Sequence, residues 1–255
     1  MSHALLLPLT QPRIEQTAAE EPQQKFSLDG AKLIVDANSY YAEWVYDGIQ
    51  KIGNFATLIS EKNMTAANVA IANISWAVMI ETVSKILPNF DPNKKNILVC
   101  GETRNQALEN PGAPWTTAKL VELTRRYIAS ANLIVKEKYG KGFDKVVLCG
   151  SIPSDGKTSP DGETIVKTAN QNMLAFDAYC RDSANLASLG ADVFADFRTV
   201  HPEYFGGDGW DNEPGFWEQK GVTVIETTGA LINPRAAARE AFADTIAQAI
   251  KRLEA

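Results

Sequence analysis

Five short apolar runs punctuate the chain from Ala31 onward: Lys32–Val35, Val69–Ile74, Asn96–Cys100, Lys145–Cys149 and Asp192–Ala195. Brief, continuously apolar runs of this kind predict strands buried on both faces of a parallel sheet. Helical spacing separates them. Trp76, Met79, Ile80, Val83 and Leu87 share one stripe, and Leu120, Leu123, Tyr127 and Ile128 share another. A long helical stretch from Ile165 to Leu189 aligns Met173, Phe176, Tyr179 and Cys180, and a last helix, with Pro234 near its start, aligns Phe242, Ile246, Ile250 and Leu253. Strand and helix in alternation predict a three-layer α/β/α sandwich around a five-stranded, mostly parallel sheet. No internal repeat is visible.

Two stretches break this rhythm. Gly150 to Gly162 reads as a long loop, and His201 to Gly221 is rich in glycine and tryptophan. Both follow the carboxyl ends of predicted strands, the edge where open α/β sheets place ligands. Trp210 and Trp217 are candidates either for stacking on sugar rings or for packing over the sheet edge. Residues 1–30 differ from the remainder, 31–255. Pro8, Pro12 and Pro22 alternate with glutamines and glutamates, so this extended N-terminal arm has no core of its own. Its one apolar cluster, Ala4 with Leu5, Leu6, Leu7 and Leu9, is the expected partner-binding element, a plug for the groove or sheet edge of another protein subunit.

Composition narrows the function. A net charge of −6 argues against a basic nucleic-acid-binding surface. Cys100, Cys149 and Cys180 have no metal-ligand spacing, and neither of the 2 histidines lies near them, so neither metal nor cofactor is expected. No apolar run has the length of a membrane span. Ala4 to Leu9 is short, broken by Pro8 and not preceded by Lys or Arg, which predicts no signal peptide and a cytoplasmic protein. The stretch from Gly150 to Thr158 comes close to a phosphate-binding loop. However, it is one residue too long, Ser151 stands where glycine is needed, and Pro153 removes a backbone donor. Ser159 to Gly162 moreover suggests a turn where that motif requires a helix.

Four segments, in order, carry a family resemblance. Ala31 to Ser39, followed by Tyr40 to Trp44, resembles the first block of the SGNH/GDSL hydrolases, with Ala37, Asn38 and Ser39 at the Gly-Asp-Ser positions. Ile74 to Ala77 resembles the second, with Trp76 at the oxyanion-hole glycine. Val99 to Gln106 resembles the third, with Asn105 at the oxyanion asparagine. Thr228 to Arg235 resembles the fourth, but Thr228 and Leu231 stand where the family has its catalytic aspartate and histidine. The resemblance implies a flavodoxin-like strand order and Ser39 as the residual nucleophile. Ser39 equally suits a helix N-cap, and Asn105 a loop cap.

A serine hydroxyl without a base is a poor nucleophile. His201 is the alternative base, although a loop or packing role suits its place better, and His3 lies in the arm. The expectation is therefore a non-catalytic structural or assembly component, a pseudoenzyme on an SGNH-like domain. By analogy it is part of a phage virion (capsid decoration, neck or tail), made in the host cytoplasm. The alternatives are a carbohydrate esterase or deacetylase using Ser39, or a module binding surface carbohydrate through Trp210 and Trp217.

Overall fold

The computed structural model describes residues 25–38, 49–71, 74–108, 116–152, 160–202, 217–219, 231–234 and 236–255. Five parallel strands form the sheet: β1 (Lys32–Ala37), β2 (Thr65–Asn68), β3 (Asn96–Gly101), β4 (Lys145–Cys149) and β5 (Val193–Ala195). Their order is β2-β1-β3-β4-β5, as the resemblance implies. Around them pack α1 (Gly53–Glu61), α2 (Trp76–Glu81), α3 (Arg104–Leu108), α4 (Thr117–Tyr139), α5 (Pro160–Arg181), α6 (Ser183–Ser188), α7 (Phe197–Val200) and α8 (Ala236–Lys251). A separate antiparallel ribbon pairs β6 (Trp217–Gln219) with β7 (Leu231–Pro234).

The pleat of β1 explains the layers. Side chains alternate across a strand, so Leu33, Val35 and Ala37 join Phe55 and Leu58 of α1 and Phe242, Ile246 and Ile250 of α8 on one face. Ile34 joins Trp76, Tyr127, Met173 and Phe176 on the other. Asp36 also points to that second face, an ionisable group in an otherwise apolar layer. Tyr127 donates its hydroxyl to Asp36 Oδ2 at 2.6 Å, and Lys85 Nζ lies 2.8 Å from Oδ1. Burial pushes the Asp36 carboxyl up, against the pull of Lys85 and Tyr127.

Four expectations are corrected. The second strand is Thr65–Asn68 and not Val69–Ile74. It is an edge strand, half exposed, so its sequence needs no apolar run, although Val69 and Ile71 still donate to Val35 and Ala37 carbonyls. The helical stretch ending at Leu189 is two helices, because Asp182 caps α6 by accepting from Asn185 N at 2.9 Å. Pro160 to Gly162 is the first turn of α5 rather than a turn of the loop, with proline at the position where its missing N–H costs least. Pro234 ends β7 and does not open the last helix.

Leu28 is fully buried in the core, and its N–H donates to Glu254 Oε1 at 2.9 Å. Residues 1–24 of the arm, with Leu5, Leu6, Leu7 and Leu9, lie outside the described residues.

Candidate functional site

The carboxyl ends of β1, β3 and β4 bring Asn38, Glu102 and Ser151 together. Glu102 directly follows β3 and is 1% exposed. Its carboxylate accepts from Asn38 Nδ2 at 3.1 Å, Asn105 N at 2.8 Å and Gln106 N at 3.1 Å. The last two bonds cap the start of α3, a carboxylate at a helix N-terminus. Burial nevertheless dominates and pushes the Glu102 carboxyl up to about 7, against those three donors. The space enclosed by Asn38, Glu102, Thr103, Gly150 and Ser151 is about 10 Å³, room for about one water.

Gly150 sits at a close approach of β4's end to β5. Its N–H donates to Ala195 O at 2.9 Å, and a Cβ there would lie 3.1 Å from that same oxygen. Ser151, the residue that spoils the phosphate-loop pattern, is locked beneath. Its N and Oγ donate to Asp177 at 2.9 and 2.7 Å, and Arg198 Nε donates to the same carboxylate at 2.9 Å. Burial raises the Asp177 carboxyl, while Arg198 and Ser151 act to hold its charge.

The residues singled out from the sequence are only partly among the described ones. Ser39, Trp210 and Thr228 lie outside the described residues. Leu231 and Trp217 lie on the β6–β7 ribbon. Asn105 stands on α3 and turns its amide to the Ile74 carbonyl at 2.9 Å. Its neighbour Gln106 accepts from Ala77 N at 3.0 Å, capping α2, whose own N-cap Ser75 makes no side-chain cap bond. Both residues therefore tie the start of α3 to the start of α2. Trp76 is fully buried, with its ring centroid 5.1 Å from that of Tyr127 in the core beneath the sheet.

His201 ends α7, half-buried, with Nε2 3.8 Å from Asp244 Oδ2 on α8. It forms no dyad with Asp196, whose carboxylate is held by Arg181 at 2.5 and 3.0 Å and by Thr199 Oγ1 at 2.5 Å.

Sequence reasoning passed over Glu102 and the Asp177–Arg198 pair. A signal for Glu102 was present: a carboxylate directly after the end of an apolar strand and just ahead of a short helix. Asp177 and Arg198 gave none, since each sits among polar neighbours and their pairing is a product of the fold.

No protein-family model matches the sequence, and no curated protein does. Solved structures do match. An aryl esterase from M. smegmatis is 11% identical over 88% of this chain and 99% of its own, with a TM-score of 0.57. A carbohydrate acetylesterase from Sinorhizobium meliloti, Est24, is 10% identical over 88% and 99%, with a TM-score of 0.56. A member of the lipolytic G-D-S-L family from Veillonella parvula is 14% identical over 87% and 99%, with a TM-score of 0.53. At such identities the likeness speaks for architecture alone, and with the strand order it establishes that this chain is built on the SGNH-hydrolase-like α/β/α fold.

Proposed function

We propose that the chain is a non-catalytic assembly component that uses the SGNH-like fold as a scaffold and its N-terminal arm as the tether to other protein subunits. One observation carries this reading. By the resemblance, Thr228 and Leu231 stand at the aspartate and histidine positions, so the family's own base is missing from this sequence. Without a base to take its proton, Ser39 has little nucleophilicity. The purified full chain should hydrolyse nitrophenyl esters and acetylated sugars no faster than its Ser39→Ala variant. Turnover that disappears with Ser39→Ala would overturn the proposal. A pull-down with the full chain would then identify the particle, a phage virion on the reading above.

A second reading has a specific support. Glu102, poised near neutrality and bonded to the residue next to Ser39 in sequence, has the protonation behaviour of a general base. On that reading hydrolysis rises with pH through about 7 and is lost in both Ser39→Ala and Glu102→Gln.

A further inference from the structure

Among the described residues, a cavity of about 510 Å³ lies outside edge strand β5, with α6 and α7 on one side and α8 on the other. Its volume is in the usual range for a small-molecule site and far exceeds the space at Glu102. Leu186, Val193, Phe194 and Val200 give it an apolar lining. A further strand is disfavoured as the occupant. β5 has only 3 residues, and the Phe194 carbonyl already accepts from Arg252 Nη2 at 2.6 Å.

The charges around the cavity decide the sign of a ligand. Arg181, Asp192, Asp196 and Arg252 line it. Three of these are matched. Arg181 donates to Asp196 through Nε and Nη2, and Asp192 is held by Lys145 at 2.9 Å. Arg252 is different. A guanidinium carries five N–H donors, and among the described residues the partner of this one is a neutral carbonyl, that of Phe194. That bond fixes the group against β5 without compensating its charge. A cationic ligand would meet no unmatched carboxylate in the described lining, whereas an anion meets Arg252.

The number of unmatched charges decides the head group. One guanidinium matches one planar carboxylate, with two parallel N–H donors available for it. A phosphate dianion would call for a second cation, and Arg181 is already committed to Asp196.

We propose that the β5-edge cavity binds a small organic carboxylate, with its apolar body against Leu186, Val193, Phe194 and Val200 and its head at Arg252. This site shares no residue with the Asn38–Glu102 cluster. It is independent of the assembly reading, and its test stands apart from that of Ser39.

The test uses the full chain. Calorimetric titration with decanoate, a carboxylate on a plain alkyl tail, should show saturable binding. Decyltrimethylammonium, the same tail under the opposite charge, should bind at least about tenfold more weakly, the lower end for loss of a hydrogen bond to a charged group. Arg252→Gln keeps a donor for the Phe194 carbonyl but removes the charge, so it should erase that preference. Val200→Trp, at a position that is 38% exposed, fills the cavity and should weaken decanoate binding by roughly tenfold or more. It decides the matter if circular dichroism shows Arg252→Gln to be unfolded. A decanoate carrying a diazirine should, on irradiation, label peptides spanning 183–200 and 245–252, and excess decanoate should remove the label. Absence of saturation, equal binding of the two ligands, or a preference that survives Arg252→Gln overturns the proposal. So does decanoate binding that is unchanged by Val200→Trp. Label on the peptides holding Ser39 or Glu102 instead would place the carboxylate at the other site and reject this cavity.

Discussion

Glu102 shows what a single buried carboxyl does in this fold. Its folded value of about 7 lies above the ordinary 4.5, so the native state holds its proton more tightly than the unfolded chain does. The stability this confers is complete below about 4.5 and is lost as pH rises through about 7, a change of at most about 3–4 kcal/mol. Unfolding by urea at a series of pH values should therefore show stability falling across that window. The Glu102→Gln variant should flatten the slope, although its amide N–H₂ opposes a backbone donor and lowers stability overall by about 1–3 kcal/mol. An unchanged slope in the variant would assign the pH dependence to other groups. The sequence displayed this residue in plain view, next to an apolar strand, but what perturbs it is burial under Asn38 and α3, a long-range outcome. Ser151 is similar: its replacement of a glycine excluded a phosphate loop on local grounds, while its bonds to Asp177 were invisible.

At the scale of elements, the hydrophobic pattern found every strand of the main sheet except β2, one of its two edges. β1, β3 and β4 are buried on both faces and had to be apolar. β2 is half exposed, so Thr65–Asn68 carried no such mark. The missed break before α6 is a capping matter. Asp182 is an N-cap in extended conformation, and a pattern of apolar positions that continues on both sides hides it. Asp182→Ala should cost about 1 kcal/mol in thermal or urea unfolding, and Asp182→Asn much less, since an amide oxygen caps nearly as well. The β6–β7 ribbon was legible in neither period nor composition, because its pairing joins residues on either side of a long intervening segment. The candidate site suffered most at this scale. Local sequence matches Asn105 to the oxyanion asparagine and Gln106 to the aspartate after it, and in the structure their side chains bind α3 to α2.

At the scale of the whole molecule, the arm is expected to contribute no core. Among the described residues, the apolar layers on both faces of the sheet are drawn from Phe26 onward. Deleting residues 1–24 should accordingly leave circular dichroism and the melting temperature nearly unchanged while abolishing co-sedimentation with partner subunits. Unfolding of the shortened chain, or unimpaired assembly, would show the arm to have another role. The fold itself was readable from residue order because strand–helix alternation admits few solutions. That position 231 carries no titratable side chain was readable because it is a matter of residue type.

The Leu28–Glu254 contact has a mechanical consequence. Glu254, near the end of the chain, accepts from Leu28 N and pairs with Lys62 at 2.9 Å, so the way into the domain and the way out of it meet at one clamp. A tension applied between the arm and the last residue enters and leaves the body at the same place. It loads the clamp first and then peels α8 from the sheet one turn at a time. Such a domain would yield at low force when stretched by its ends, and would hold far more firmly when load reaches it through the face of the sheet.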